Sequence, residues 1–88
     1  MKRIYCDYSA TTPVDKKVLA AMMPYFSERF GNPSSVHGYG QEALQALDRA
    51  RHRVADMLGC LSQEVIFTGS ATEANNLALY GVVRQALE

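Results

Sequence analysis

Four small residues, Gly69, Ser70, Ala71 and Thr72, stand between the β-favouring run Val65-Ile66-Phe67-Thr68 and a helix-favouring run that starts at Glu73. The first turn of a helix carries unpaired N–H groups and about half a unit of positive charge, and small side chains there let a phosphate approach the backbone. The chemistry on offer is anion binding, with backbone amides and two hydroxyls as donors. The same residues also read as a plain helix cap, Ser70-x-x-Glu73, which needs no ligand. Neither the P-loop spacing nor G-x-G-x-x-G occurs, so no nucleotide motif is matched.

Other reactive side chains are sparse. Cys6 and Cys60 lie far apart without C-x-x-C or Cys/His ligand spacing, and read as reduced, buried or half-buried thiols. His37 sits in the glycine-rich stretch GNPSSVHGYG, residues 31–40, and reads as structural or solvent-facing rather than as a general base. His52 reads as solvated on the polar side of a helix. The lysines are Lys2, Lys16 and Lys17, one near the terminus and two opening an amphipathic helix.

Elements that position these residues follow from periodicity. Residues 3–8, RIYCDY, predict a short strand or extended arm that enters the polar stretch Ser9 to Thr12. A first helix is then expected, with Thr12 as cap, Pro13 at its first position and Asp15 completing a capping-box-like pair. Val14, Val18, Met22, Tyr25 and Phe26 recur along it at helical spacing, and Gly31, Asn32 and Pro33 supply the stop. Pro24 lies inside this span, where a proline costs about 3 kcal/mol, so a kink near Met22 or a split helix is predicted.

A second helix is expected over residues 40–58, with Ala43, Leu44, Leu47, Ala50, Val54, Met57 and Leu58 on one stripe and Gly59 as its stop. Ser62 to Glu64 reads as a turn, Val65 to Thr68 as a buried-type strand, and Ala71 onward as a third helix running to Glu88. The order strand-helix-helix-strand-helix is that of an α/β chain, helix-rich in isolation, whose strands join a larger helix-covered sheet. Because two short strands do not make such a sheet, and the third helix runs into the end of the sequence without a stop signal, the chain reads as the beginning of a longer protein. It divides into an arm, residues 1–12, and a remainder, 13–88, that carries the helices, all within one segment, 1–88.

Composition narrows the partners. Nine basic and nine acidic residues balance, and the basic ones are scattered, with Arg49, Arg51 and Arg53 set among Asp48 and Asp56. That disfavours nucleic acid. No apolar run approaches the roughly 20 residues of a membrane span and the N-terminus holds no signal-peptide core, so neither a membrane partner nor export is expected and the location reads as cytoplasmic. Hydrophobic residues at 48% and charged residues at 20% fit a folded chain.

Three stretches taken together, YCDYSATTPVD at 5–15, FGNPSSVHGYGQEA at 30–43 and VIFTGSATEANNLAL at 65–79, occur in the order and spacing that open the NifS-like cysteine desulfurases. The chain resembles the N-terminal portion of that family, in the class-V group of fold-type I transferases dependent on pyridoxal 5'-phosphate (PLP). The resemblance implies that Ala71 and Thr72 bind the PLP phosphate through backbone N–H and the Thr72 hydroxyl. It implies that the arm, with Ser9, Ala10 and Thr11, faces the substrate side of the site, and that Gly31 to Ser35 is a structural loop. Where the family usually reads Thr-Ser-Gly-Ala-Thr-Glu, this chain reads Thr68-Gly69-Ser70-Ala71-Thr72-Glu73, which moves the glycine one place earlier.

The implied activity removes sulfur from L-cysteine to leave L-alanine and an enzyme persulfide, for iron–sulfur cluster or thio-cofactor assembly, in a homodimer that serves a sulfur-acceptor or scaffold protein. The lysine that holds the cofactor, the persulfide cysteine, the pyridine-pairing aspartate and the substrate-binding arginine belong to later parts of such a chain. No catalytic residue and no metal ligand is therefore expected among these 88, and the segment alone is expected to be inactive. A selenocysteine lyase of the same fold and a noncatalytic remnant or interaction module are the alternatives.

Overall fold

The computed structural model describes all residues, Met1–Glu88. Helices form at Lys16–Met22 (α1), Pro24–Ser27 (α2), Gly38–Leu58 (α3) and Ala71–Leu87 (α4), with a 3-10 turn at Ser62–Glu64 between the last two. The chain divides into two compact units, Met1–Asp48 and Arg49–Glu88.

In the first unit, α1 starts later than the sequence predicts. Asp15, not Thr12, is its cap: the Asp15 carboxylate accepts the N–H of Lys17 at 2.8 Å and of Val18 at 3.4 Å. Aspartate is the stronger capping residue, and Thr12 precedes a proline, which biases it toward extended backbone. At the other end, the expected break at Pro24 is found. α1 closes at Met22, and Pro24 restarts the chain as the first residue of α2, where its missing N–H costs nothing. α2 then ends at Ser27, ahead of the Gly31-Asn32-Pro33 stop.

The loop that follows is tied by short-range hydrogen bonds. Asn32 accepts the N–H of Ser34 through its side chain at 2.9 Å and the N–H of Ser35 through its carbonyl at 2.9 Å. Phe30 stacks on Tyr39 with ring centroids 5.6 Å apart. Gly40 is buried under this loop, and a Cβ there would lie 2.7 Å from the Asn32 carbonyl oxygen and closer still to that of Ser35.

In the second unit, α3 ends at Gly59, the stop that the sequence predicts. Gly59 takes φ +70, Cys60 N–H donates to Ala55 O at 3.0 Å and Gly59 N–H to Asp56 O at 3.4 Å, the paired bonds of a Schellman close. The half-buried face of α3 runs through Ala43, Leu47, Arg51 and Val54. Of the predicted stripe only Ala43, Leu47 and Val54 are half-buried; Leu44, Ala50 and Leu58 are exposed, and Met57 is 87% exposed.

No β-strand forms, so the chain as described is helical and the expected strands at 3–8 and 65–68 are not present. Val65 has extended backbone, φ -95 and ψ 120, but neither segment meets a second strand with which to exchange ladder bonds. Burial shows the same deficiency of partners. Ala55, at 2% exposure, is the only buried apolar side chain, while Val18, Phe26, Ile66 and Leu79 remain exposed.

Candidate anion-binding site

α4 begins at a turn built from local hydrogen bonds. Ser70 is the N-cap, with extended backbone at φ -163 and ψ 164, and its hydroxyl oxygen accepts the N–H of Glu73 at 3.1 Å. The Glu73 carboxylate reaches back past Ser70 and accepts the N–H of Gly69 at 2.8 Å. Thr68 donates its hydroxyl to Ser70 O at 3.0 Å, which fixes the entry into the turn.

The expected capping box is therefore present with a shifted return arm, on Gly69 rather than on the cap residue itself. Gly69 permits that approach, because a Cβ at this position would stand 3.2 Å from the Glu73 carboxylate oxygen. Its φ is not positive, so the displaced glycine serves space and not left-handed backbone.

What the turn leaves open are the N–H groups of Ala71 and Thr72 and the Thr72 hydroxyl, none of which has a protein acceptor. They lie at the positive end of a helix of 17 residues. An open groove starts here and follows one face of α4 past Ser70, Thr72, Glu73, Leu77, Tyr80 and Arg84. Two amides and a hydroxyl at a helix start suit the oxygens of a phosphate monoester, and PLP carries such a group. The residues present fit its phosphate end.

Ser9, Ala10 and Thr11 form a second local cluster, in the other unit. They wrap Asp7, whose carbonyl accepts the N–H of Ala10 at 3.1 Å and of Thr11 at 3.4 Å, while Ser9 donates its hydroxyl to the Asp7 carboxylate at 3.3 Å. Tyr5 and Tyr8 rings meet beside them at 5.7 Å. All of these residues are exposed.

His37 plays a structural part, since its Nδ1 accepts the N–H of Gly40 at 3.2 Å at the start of α3, with Tyr39 edge-on at 6.2 Å. Lys2, Lys16 and Lys17 are all exposed, and Cys6 and Cys60 are free thiols, the first exposed and the second half-buried. No three His, Cys, Asp or Glu residues gather as a metal site, and no helix is long and apolar enough to cross a membrane.

Sequence reasoning missed one side chain near the turn. Arg51 of α3 places its guanidinium 5.3 Å from the ring centre of Phe67, two residues before Gly69. Sixteen positions separate the pair in a chain of scattered arginines, so no local signal could have joined them.

The pattern of the aminotransferase class-V family matches residues 4–88. The chain is 51% identical over 81 residues to a protein named putative cysteine desulfurase IscS 1 from Bacillus subtilis (strain 168), covering 92% of this chain and 21% of that protein. It is 54% identical over 82 residues to the cysteine desulfurase IscS of Rickettsia akari (strain Hartford), covering 92% and 20%. To the cysteine desulfurase IscS of Dictyoglomus turgidum (strain DSM 6724 / Z-1310) it is 51% identical over 83 residues, covering 93% and 21%. The chain spans about a fifth of the length of these curated relatives. A family match over nearly every residue joins a helix start that fits a phosphate: the chain belongs to the class-V aminotransferase family.

Proposed function

We propose that the chain is the N-terminal part of a PLP-dependent cysteine desulfurase and supplies the corner that holds the cofactor phosphate. The observation that carries this reading is the start of α4, where Ala71 and Thr72 leave two N–H groups and one hydroxyl open beside a turn fixed by Ser70 and Glu73. The names of the relatives, cysteine desulfurases at 51% to 54% identity, support it.

When bound, PLP supplies an electron sink for the α-carbon of an amino acid. This chain's residues would do the holding. Ala71 and Thr72 N–H groups and the Thr72 hydroxyl donate to phosphate oxygens, and the helix dipole favours the anion by about 0.3–1 kcal/mol. Glu73, occupied by the Gly69 N–H, keeps the turn closed without capping the donors that face the phosphate. Ser9, Ala10 and Thr11 would border the amino-acid side.

The overall reaction takes L-cysteine and an enzyme thiol to L-alanine and an enzyme persulfide. The thiol and the cofactor-holding lysine would come from the remainder of the enzyme, so this segment alone gives no turnover. On this reading Val65–Thr68 pairs into a sheet supplied by that remainder, and the enzyme is a cytoplasmic homodimer that passes sulfur to an acceptor or scaffold protein for iron–sulfur cluster or thio-cofactor assembly. The test is incubation of the complete protein with L-cysteine, with and without PLP. Alanine formed only with PLP, in step with sulfide released by a reductant, is expected. Turnover of L-selenocysteine alone would replace the reading with a selenocysteine lyase, and turnover of neither amino acid would leave a noncatalytic protein.

A further inference from the structure

Arg51 is the only one of the chain's charged residues that is not exposed. It lies on the half-buried face of α3 with Leu47 and Val54, and its guanidinium stands over the ring of Phe67 at 5.3 Å. A guanidinium partly withdrawn from water is stable where it has partners, and the Phe67 ring is one of them. The segment that carries Phe67 has few other ties. Val65 N–H donates to Ser62 O at 3.2 Å, and the next backbone bond is that of Gly69 to Glu73; no backbone hydrogen bond engages Ile66, Phe67 or Thr68.

Resting on the phosphate reading above, we infer that Arg51 is a positioning residue for the phosphate turn, acting through Phe67. Phe67 lies three positions before the cap at Ser70, and Thr68 passes the placement on through its hydroxyl bond to Ser70 O at 3.0 Å. Where Phe67 sits on α3 therefore sets where α4 begins and where the Ala71 and Thr72 N–H groups point. A guanidinium suits this role because its flat, weakly hydrated face lies on an aromatic ring, which an ammonium does less well, and a methionine there would keep contact with the ring but lose the charge.

The test uses the complete protein with Arg51→Met, Arg51→Lys, Phe67→Leu and the Arg51→Met/Phe67→Leu double variant. PLP affinity is measured by titration, and the circular dichroism of the bound cofactor reports its orientation. Each of Arg51→Met and Phe67→Leu raises the Kd for PLP about two- to five-fold, the range of a cation–π contact whose ring stays partly in water, as Phe67 does at 45% exposure. The double variant loses no more than the larger single, Arg51→Lys stays nearer the wild type, and the cofactor's dichroism changes in the same variants. Should Arg51→Met fail to fold, Phe67→Leu and Arg51→Lys carry the comparison.

Unchanged affinity and dichroism with a lowered melting temperature would make Arg51 a brace of the fold alone and overturn the inference. Additive losses in the double variant would also overturn it, because the two residues would then act separately. If the wild type takes up no PLP, or Thr72→Ala leaves its affinity unchanged, the phosphate reading itself fails and this inference with it. If those two controls behave as expected and Arg51→Met matches the wild type, only the role of Arg51 falls.

Discussion

The carboxylate of Glu73 accepts the N–H of Gly69 at 2.8 Å, one residue before the position a reciprocal helix cap uses. This pairing explains the order of the two small residues. Glycine at 69 leaves room for the carboxylate, and serine at 70 supplies the hydroxyl that receives the Glu73 N–H. Removing the carboxylate in Glu73→Ala frees Gly69 N–H and loosens the turn by about 1 kcal/mol, which accelerates amide exchange at the start of α4 roughly five-fold. Glu73→Gln retains an acceptor and shows a smaller change.

Ser70→Ala removes the side-chain acceptor of the Glu73 N–H at the head of α4. The expected loss is about 1 kcal/mol, against a few tenths for Ser70→Gly. Hydrogen exchange across residues 71–74 reads both, and equal effects of the two substitutions would show that the hydroxyl is not the cap.

Gly40→Ala drives a methyl group into the carbonyls of Asn32 and Ser35, both backbone atoms with little freedom to move away. Overpacking of this kind costs about 1–3 kcal/mol, read as a lowered denaturation midpoint or loss of soluble protein. Gly38→Ala, where nothing lies within 4 Å, is the control and changes stability by less than about 0.5 kcal/mol.

The 88-residue chain on its own is expected to self-associate. With Ala55 as the only buried apolar side chain, the faces of α1, α2 and α4 that carry Val18, Phe26 and Leu79 stay in water. Sedimentation velocity should show mass that grows with concentration. A monomer with one cooperative unfolding transition would contradict this.

The features legible in the sequence are those fixed within a few residues. The Ser70–Glu73 cap, the Gly59 stop and the break at Pro24 depend on side chains and backbone at most five positions apart, and each is found where the sequence places it. Thr12 and Asp15 are two capping residues in one stretch, and ranking the first above the second misplaces the start of α1. The expected strands at 3–8 and 65–68 require a neighbouring strand, and no property of these residues supplies one. Met57 and Leu58 continue the apolar spacing yet are exposed, because periodicity does not say whether another element packs on that face. Arg51 over Phe67 is a contact between distant positions, which periodicity does not encode.

The most direct measurement is the affinity of the complete protein for PLP, wild type against Thr72→Ala, by titration of the cofactor. Loss of one hydrogen bond to a charged phosphate is worth about 1.5–3 kcal/mol, so the account predicts a Kd raised by roughly ten-fold or more with the fold intact. Equal affinity for PLP in the two proteins would remove the cofactor phosphate from the head of α4 and contradict the account.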